Sequence, residues 1–215
     1  NVEGRLIGVT ATPTASSLYS YDAFGLRRSA QTTAGVSTQL RSFTWAGGNG
    51  EAEVASDDER VVTVGGLVIA QGARRFSHDG LGSVIGAVDA AAPTASATYR
   101  YSPWGAFEPG SSAVPPAYVR FTNHKYDAYG KLDAQQRTLD PATGMFLSQD
   151  PVFGSLENPN SLGPWAYGSG SPLRFGDPDG RCDIDWGRTN KFKCVESAGG
   201  KYINETKDVI SAGTA

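Results

Sequence analysis

Tyr19-Ser20-Tyr21-Asp22-Ala23-Phe24-Gly25 recurs in outline as Phe76-Ser77-His78-Asp79-Gly80-Leu81-Gly82, as Tyr99-Arg100-Tyr101-Ser102-Pro103-Trp104-Gly105, and as His124-Lys125-Tyr126-Asp127-Ala128-Tyr129-Gly130. Each copy reads as an alternating aromatic pair, then Asp or Ser, two residues, and Gly; the His124 copy is the weakest match. Alternation at period two is the mark of a half-buried strand, and Asp at the first with Gly at the fourth position of a tetrad marks a type I turn. The unit is a strand that enters a tight turn and returns, a β-hairpin.

The intervening sequence fits the same unit. Arg60-Val61-Val62-Thr63-Val64 is β-branched, Gly65-Gly66 interrupts it, and Leu67-Val68-Ile69 resumes, predicting a hairpin with a glycine turn. Weaker strand patterns lie at 38–45 and 114–122. Gly47-Gly48-Asn49-Gly50 and the proline-rich 109–116 read as loops. The first of these precedes no helix and is not a phosphate loop. The 27 glycines among 215 residues, about twice the average frequency, agree with a chain that reverses often. No stretch keeps a capped 3.6-residue period, so the expected class is all-β, with one short helix after Asp177 or near Glu205–Ile210.

Composition bounds the function. Apolar residues make up 39% and aromatics 10%, enough for a packed core, and no apolar run approaches the roughly 18 residues of a membrane helix. The net charge of −3 argues against a nucleic-acid partner. Asn1-Val2-Glu3-Gly4-Arg5-Leu6 has neither an initiator methionine nor a signal-peptide pattern, so the chain is expected to begin inside a longer reading frame. Cys182 and Cys194 can form one local disulfide in an oxidising compartment or remain reduced thiols. With His78 and His124 distant from them, a zinc site lacks ligands, and neither metal nor cofactor is expected. The two histidines read as hairpin residues, and Trp45, Trp104 and Trp165 as cross-strand packing.

These repeats, together with His78-Asp79-Gly80-Leu81-Gly82-Ser83-Val84, the dense 120–150 region, and the run Trp165 to Gly180 that ends in Asp177-Pro178-Asp179-Gly180, resemble the YD-repeat, or RHS-repeat, proteins and their C-terminal RHS-associated core. The resemblance covers about residues 1–181. It implies an antiparallel β-hairpin strip over 1–118 forming part of an RHS-type β-shell, a loop-rich core or plug at 119–181, and a variable tail or passenger start at 182–215.

The implied function is a segment of a polymorphic toxin in bacterial competition, secreted or delivered to a target cell, whose shell sequesters a C-terminal cargo. Implied partners are its own passenger or upstream shell, secretion machinery or an immunity protein, and a further copy through open strand edges. Many relatives cut themselves just after the terminal Asp-Pro-x-Gly. By resemblance Asp140 and Asp150 take the positions of the catalytic aspartates and Arg137 that of the assisting arginine, with the cut around Gly180, Arg181 and Cys182. A guanidinium beside Asp140 would hold it ionised while Asp150 carries the shared proton. Arg181 departs from the pattern, since relatives usually carry an apolar residue there. Taken alone, the three Asp-Pro pairs at 140, 150 and 177 also read as turns. The rival readings are a non-catalytic structural or adhesive module, and a short effector formed by the tail.

Overall fold

The computed structural model describes residues 5–48, 51–57, 59–64, 66–111, 119–127, 129–152, 154, 156, 159–181, 183–185 and 191–193. Ten strands form one antiparallel meander in which each pairs with its neighbours in sequence: β1 (Gly8–Thr12), β2 (Ala15–Tyr21), β3 (Arg27–Ala34), β4 (Ser37–Gly48), β5 (Glu51–Asp57), β6 (Glu59–Val64), β7 (Leu67–Gln71), β8 (Arg74–His78), β9 (Val84–Asp89) and β10 (Ala92–Thr98). A four-stranded sheet follows, β11 (Lys125–Tyr126), β12 (Leu132–Ala134), β13 (Arg137–Asp140) and β14 (Met145–Phe146). The last sheet has three strands, β15 (Phe175–Gly176), β16 (Asp183–Asp185) and β17 (Lys191–Lys193). Among the described residues the only helical pieces are single 3-10 turns, as expected of an all-β chain.

The repeated motif folds the same way four times. Asp22 Oδ1 accepts from the Phe24 and Leu26 amides, both at 2.9 Å, while Gly25 N–H bonds the Asp22 carbonyl at 3.1 Å and Asp22 N–H the Leu26 carbonyl at 2.9 Å. Asp79 and Asp127 repeat the pattern, and Ser102 supplies its hydroxyl to Ala106 N–H at 3.1 Å. The fourth residue is left-handed each time, at φ of +85°, +80°, +90° and +78° for Gly25, Gly82, Gly105 and Gly130. That backbone region favours glycine, which is why the motif ends there. At Gly105 a Cβ would also sit 2.6 Å from the Phe121 ring.

These turns carry unequal loads. Asp127 is buried and its Oδ2 also accepts from the Tyr19 hydroxyl at 2.8 Å, tying β2 to the second sheet. Asp127→Ala is therefore expected to destabilise the chain by about 2–4 kcal/mol, against about 1 kcal/mol for Asp22→Ala, since hydrogen bonds to a charged group contribute more and the bonded groups would be left buried. Urea unfolding of the two variants checks the ranking.

One face of the strip is solvent-exposed, with Leu18, Leu40 and Val64 each about 60% accessible. The other face gives Val68, Val84 and Ala87 to one core cluster with Tyr99 and Val119, while a second cluster is built by the four-stranded sheet and its flanking segments from Phe121, Leu132, Ala134, Leu139, Phe146 and Tyr167. Within the strip Arg27 covers the Tyr19 ring at 4.2 Å, and the strip meets the second sheet where Lys125 lies 3.9 Å from the Trp45 ring centre. Arg27 also pairs with Asp133 at 3.4 Å.

Four local expectations change. In the predicted strand over 114–122, residues 112–118 lie outside the described set, and the remainder has one bridge at Val119 followed by a 3-10 turn over Phe121–Asn123. Among the described residues no helix follows Asp177; residues 178–181 form bends, and the alternative at 205–210 lies outside the described residues, as do both cysteines. Gly47 and Gly48 extend β4 against β5 rather than forming the loop themselves. His78 pairs with Val84, but His124 leaves the ladder and is buried edge-on to Tyr167 at 5.9 Å.

Burial, with Lys125 adjacent, pushes His124 down to about 3. The native state then takes up its proton less readily than the unfolded chain. The stabilisation is complete above pH 6.5 and is lost as pH falls from there toward 3, by up to about 1.4 kcal/mol per pH unit. His124→Gln is expected to flatten that part of the curve in urea titrations at pH 7, 5.5 and 4.5.

Candidate cleavage site

Strand β13 is central in its sheet and alternates, so Arg137 and Leu139 point into the core while Asp140 lies on the opposite face. A buried guanidinium must be neutralised. Arg137 meets this need with groups far along the chain. Its Nη2 lies 2.7 Å from Asp177 Oδ2 and 2.8 Å from Asp150 Oδ2. Its Nε donates to the Gly180 carbonyl, its Nη1 to the Pro164 carbonyl at 3.3 Å, and its flat face covers the Phe146 ring at 3.7 Å. Arg137 and Asp177 side chains are almost wholly buried, whereas Asp150 keeps 20% of its accessibility.

Both carboxylate oxygens touch one nitrogen, so they lie no more than about 5.5 Å apart. Two carboxylates and one guanidinium leave a net negative charge that burial disfavours, and the relief is a proton held by one carboxyl. Burial raises the Asp150 carboxyl above the ordinary carboxylate range; Arg137 and the Val152 amide that bonds it at 2.8 Å pull the other way. The cluster is thus suited to hold one ionised and one protonated carboxyl.

The terminal motif is pressed against the turn joining β12 to β13. Gly180 has φ +74°, and a Cβ there would lie 2.6 Å from the Ala134 carbonyl and 2.8 Å from Arg137 N. Gln136 N–H bonds the Asp179 carbonyl at 3.1 Å, and Asp179 Oδ1 accepts from Arg181 N–H at 3.0 Å. The side chain that caps this bend is Asp179. Asp177, which the turn reading placed at the cap, instead faces Arg137. The Arg181 side chain is exposed.

Of the residues singled out from sequence, Arg137, Asp150 and Gly180 converge; Asp140 does not join them. Arg137 was expected beside Asp140, but the Asp140 carboxylate pairs with Lys131 Nζ at 2.8 Å and accepts from Ala142 N–H at 3.1 Å, holding the turn into β14. The period of β13 explains the difference, because residues three apart on a strand face opposite ways. Asp177 is the partner that sequence reasoning missed. Its signal was the burial of an arginine-paired acid inside the terminal motif, which local sequence cannot display. Cys182 lies outside the described residues.

No family model matches the chain. Over 108 residues, 49% of the chain, it is 33% identical to the tRNA3(Ser)-specific nuclease WapA of Bacillus spizizenii and 32% identical to the tRNA nuclease WapA of Bacillus subtilis, spanning 5% of each of those proteins. Among solved structures it is similar to the crystal structure of TcdB2-TccC3-TEV, with a TM-score of 0.62 and 21% identity. It is also similar to the Photorhabdus luminescens Tc holotoxin pore, with a TM-score of 0.60 and 20% identity. Each of these two matches covers 84% of this chain and 10% of the other. The fold is that of an RHS/YD-repeat shell segment.

Proposed function

We propose that this chain, an RHS-type shell segment in fold, is the core that closes a shell around a C-terminal passenger and cuts itself at Arg181–Cys182 by aspartyl chemistry. The observation that carries the reading is the single nitrogen of Arg137 bridging Asp150 and Asp177 while the same guanidinium holds the carbonyl of Gly180, one residue before the bond. In this reading the Asp177 carboxylate takes a proton from a water molecule as its oxygen attacks the Arg181 carbonyl carbon. The Asp150 carboxyl gives its proton to the Cys182 nitrogen as the C–N bond breaks, leaving a carboxylic acid on Arg181, whose proton passes to the Asp150 carboxylate, and an amine on Cys182. Arg137 positions both acids and the Gly180 backbone.

Asp140 belongs to the fold in this account. Asp140→Asn is expected to leave cutting intact, while Asp150→Asn, which cannot hold the acidic proton, leaves the chain whole. Intact masses of the two purified variants beside the parent decide this. Cutting in Asp150→Asn, or its loss only in Asp140→Asn, contradicts the assignment. A purely structural reading has one observation in its favour: the same Arg137 cluster staples 150, 177 and 180 to β13 whether or not a bond is broken. It predicts an intact mass for the parent and loss of stability, without change of mass, in the cluster variant Asp150→Asn.

A further inference from the structure

The last sheet crosses the proposed cut. Strand β15 lies before Arg181 and pairs with β16 after it, Phe175 opposite Asp185 and Gly176 opposite Ile184; β16 in turn pairs with β17 through Asp183–Lys193, Ile184–Phe192 and Asp185–Lys191. A side-chain bond spans the same boundary, from the Ser169 hydroxyl to the Asp183 carboxylate. Ser169 is held for this contact in an unusual backbone state, φ +49°, within the 3-10 turn Gly168–Gly170. That turn is fixed against β15, since a Cβ on Gly168 would meet the Phe175 carbonyl at 2.5 Å. The receiving edge is therefore built from the core side and anchored beside Tyr167, which is fully buried.

We infer that β16 and β17 are a clasp: the edge of β15 and the Ser169 hydroxyl grip the start of the tail, so that breaking Arg181–Cys182 leaves the passenger attached by backbone pairing. This rests on the cut proposed above, but the grip itself exists in the uncut chain. Cutting and release are then separate events. Release follows only when β16 is peeled from β15, as when the core is deformed or unfolded. Because β16 is the middle strand of its sheet, it is paired with β15 on one side and with β17 on the other.

The full-length chain carrying an N-terminal affinity tag provides the test. After cutting, the 182–215 fragment is expected to stay on the resin through native washes and to leave in urea. Ile184→Pro removes an amide from a middle strand. It should lower the retained fraction at least tenfold, and Ser169→Ala by a smaller factor. A tail that washes off the parent overturns the inference, and so does a tail retained equally in Ile184→Pro, which would place the grip elsewhere. If the parent is not cut, the cleavage reading fails alone, and amide hydrogen exchange in Asp150→Asn then decides the clasp. Slowed exchange at 183–185 that Ile184→Pro abolishes supports it; free exchange at 183–185 overturns it.

Discussion

Asp177→Asn is expected to stop self-cutting, lowering the rate by about 10²–10⁴-fold, the usual contribution of one positioned proton-transfer group. Asparagine keeps the size of aspartate and can still accept from Arg137, but it cannot take a proton from water. The parent rate should also depend on pH in a direction set by Asp150. Its carboxyl is raised chiefly by burial, with Arg137 opposing. The protonated form that the mechanism needs is lost as pH rises through that raised value. Cutting is therefore expected to be faster at pH 5 than at pH 8, and to slow again in stronger acid once both carboxyls hold protons. Timed intact-mass measurements after refolding at each pH give the profile. A rate that climbs steadily toward pH 9 contradicts the assignment of Asp150 as the acid. Thermal melts of Asp177→Asn separate lost chemistry from lost fold, since the Asp150–Arg137 pair remains.

Arg27→Met should produce the largest change in stability, about 3–5 kcal/mol. Arg27 is 1% exposed and its partner Asp133 3%, so removing the cation leaves a carboxylate without its counter-charge in a dry site. The ring of Tyr19 loses the guanidinium that covers it, and β3 loses a direct tie to β12. Replacing both members, Arg27→Met with Asp133→Leu, is expected to recover much of the loss, because buried ion pairs contribute little beyond their apolar equivalents once neither charge is stranded. A double variant no more stable than Arg27→Met would show that the pair contributes through packing instead.

Much of this fold was legible because the repeated turn is local chemistry. Asp22, Asp79 and Asp127 bind amides two and four residues ahead, and the glycine three places on takes the left-handed state, so the pattern and its cause lie within five residues. The 3-10 turn at Phe121–Asn123 had no such signal. Thr122 and Asn123 take φ of +45° and +63° without glycine. They are held from far away: Thr122 N–H by Ser83 Oγ at 3.0 Å, and Asn123 by the Gly66 carbonyl and Val68 N–H. The site divides in the same manner. Arg137 and the terminal motif stand out in the sequence, but Arg137 was set beside Asp140 because residues 137–140 were not read as a strand, whose period of two puts the two on opposite faces. That Asp150 and Asp177 share one nitrogen could not be read, because the two lie far apart in the chain and no local pattern links them.

The most direct measurement is the mass and N-terminal sequence of the species present after the parent chain is produced and purified in its native state. The account predicts two polypeptides, 1–181 and a second that begins at Cys182, and one uncut chain in Asp150→Asn. A parent that remains a single chain of 215 residues at both pH 5 and pH 8, with the Arg137 cluster folded, would contradict it.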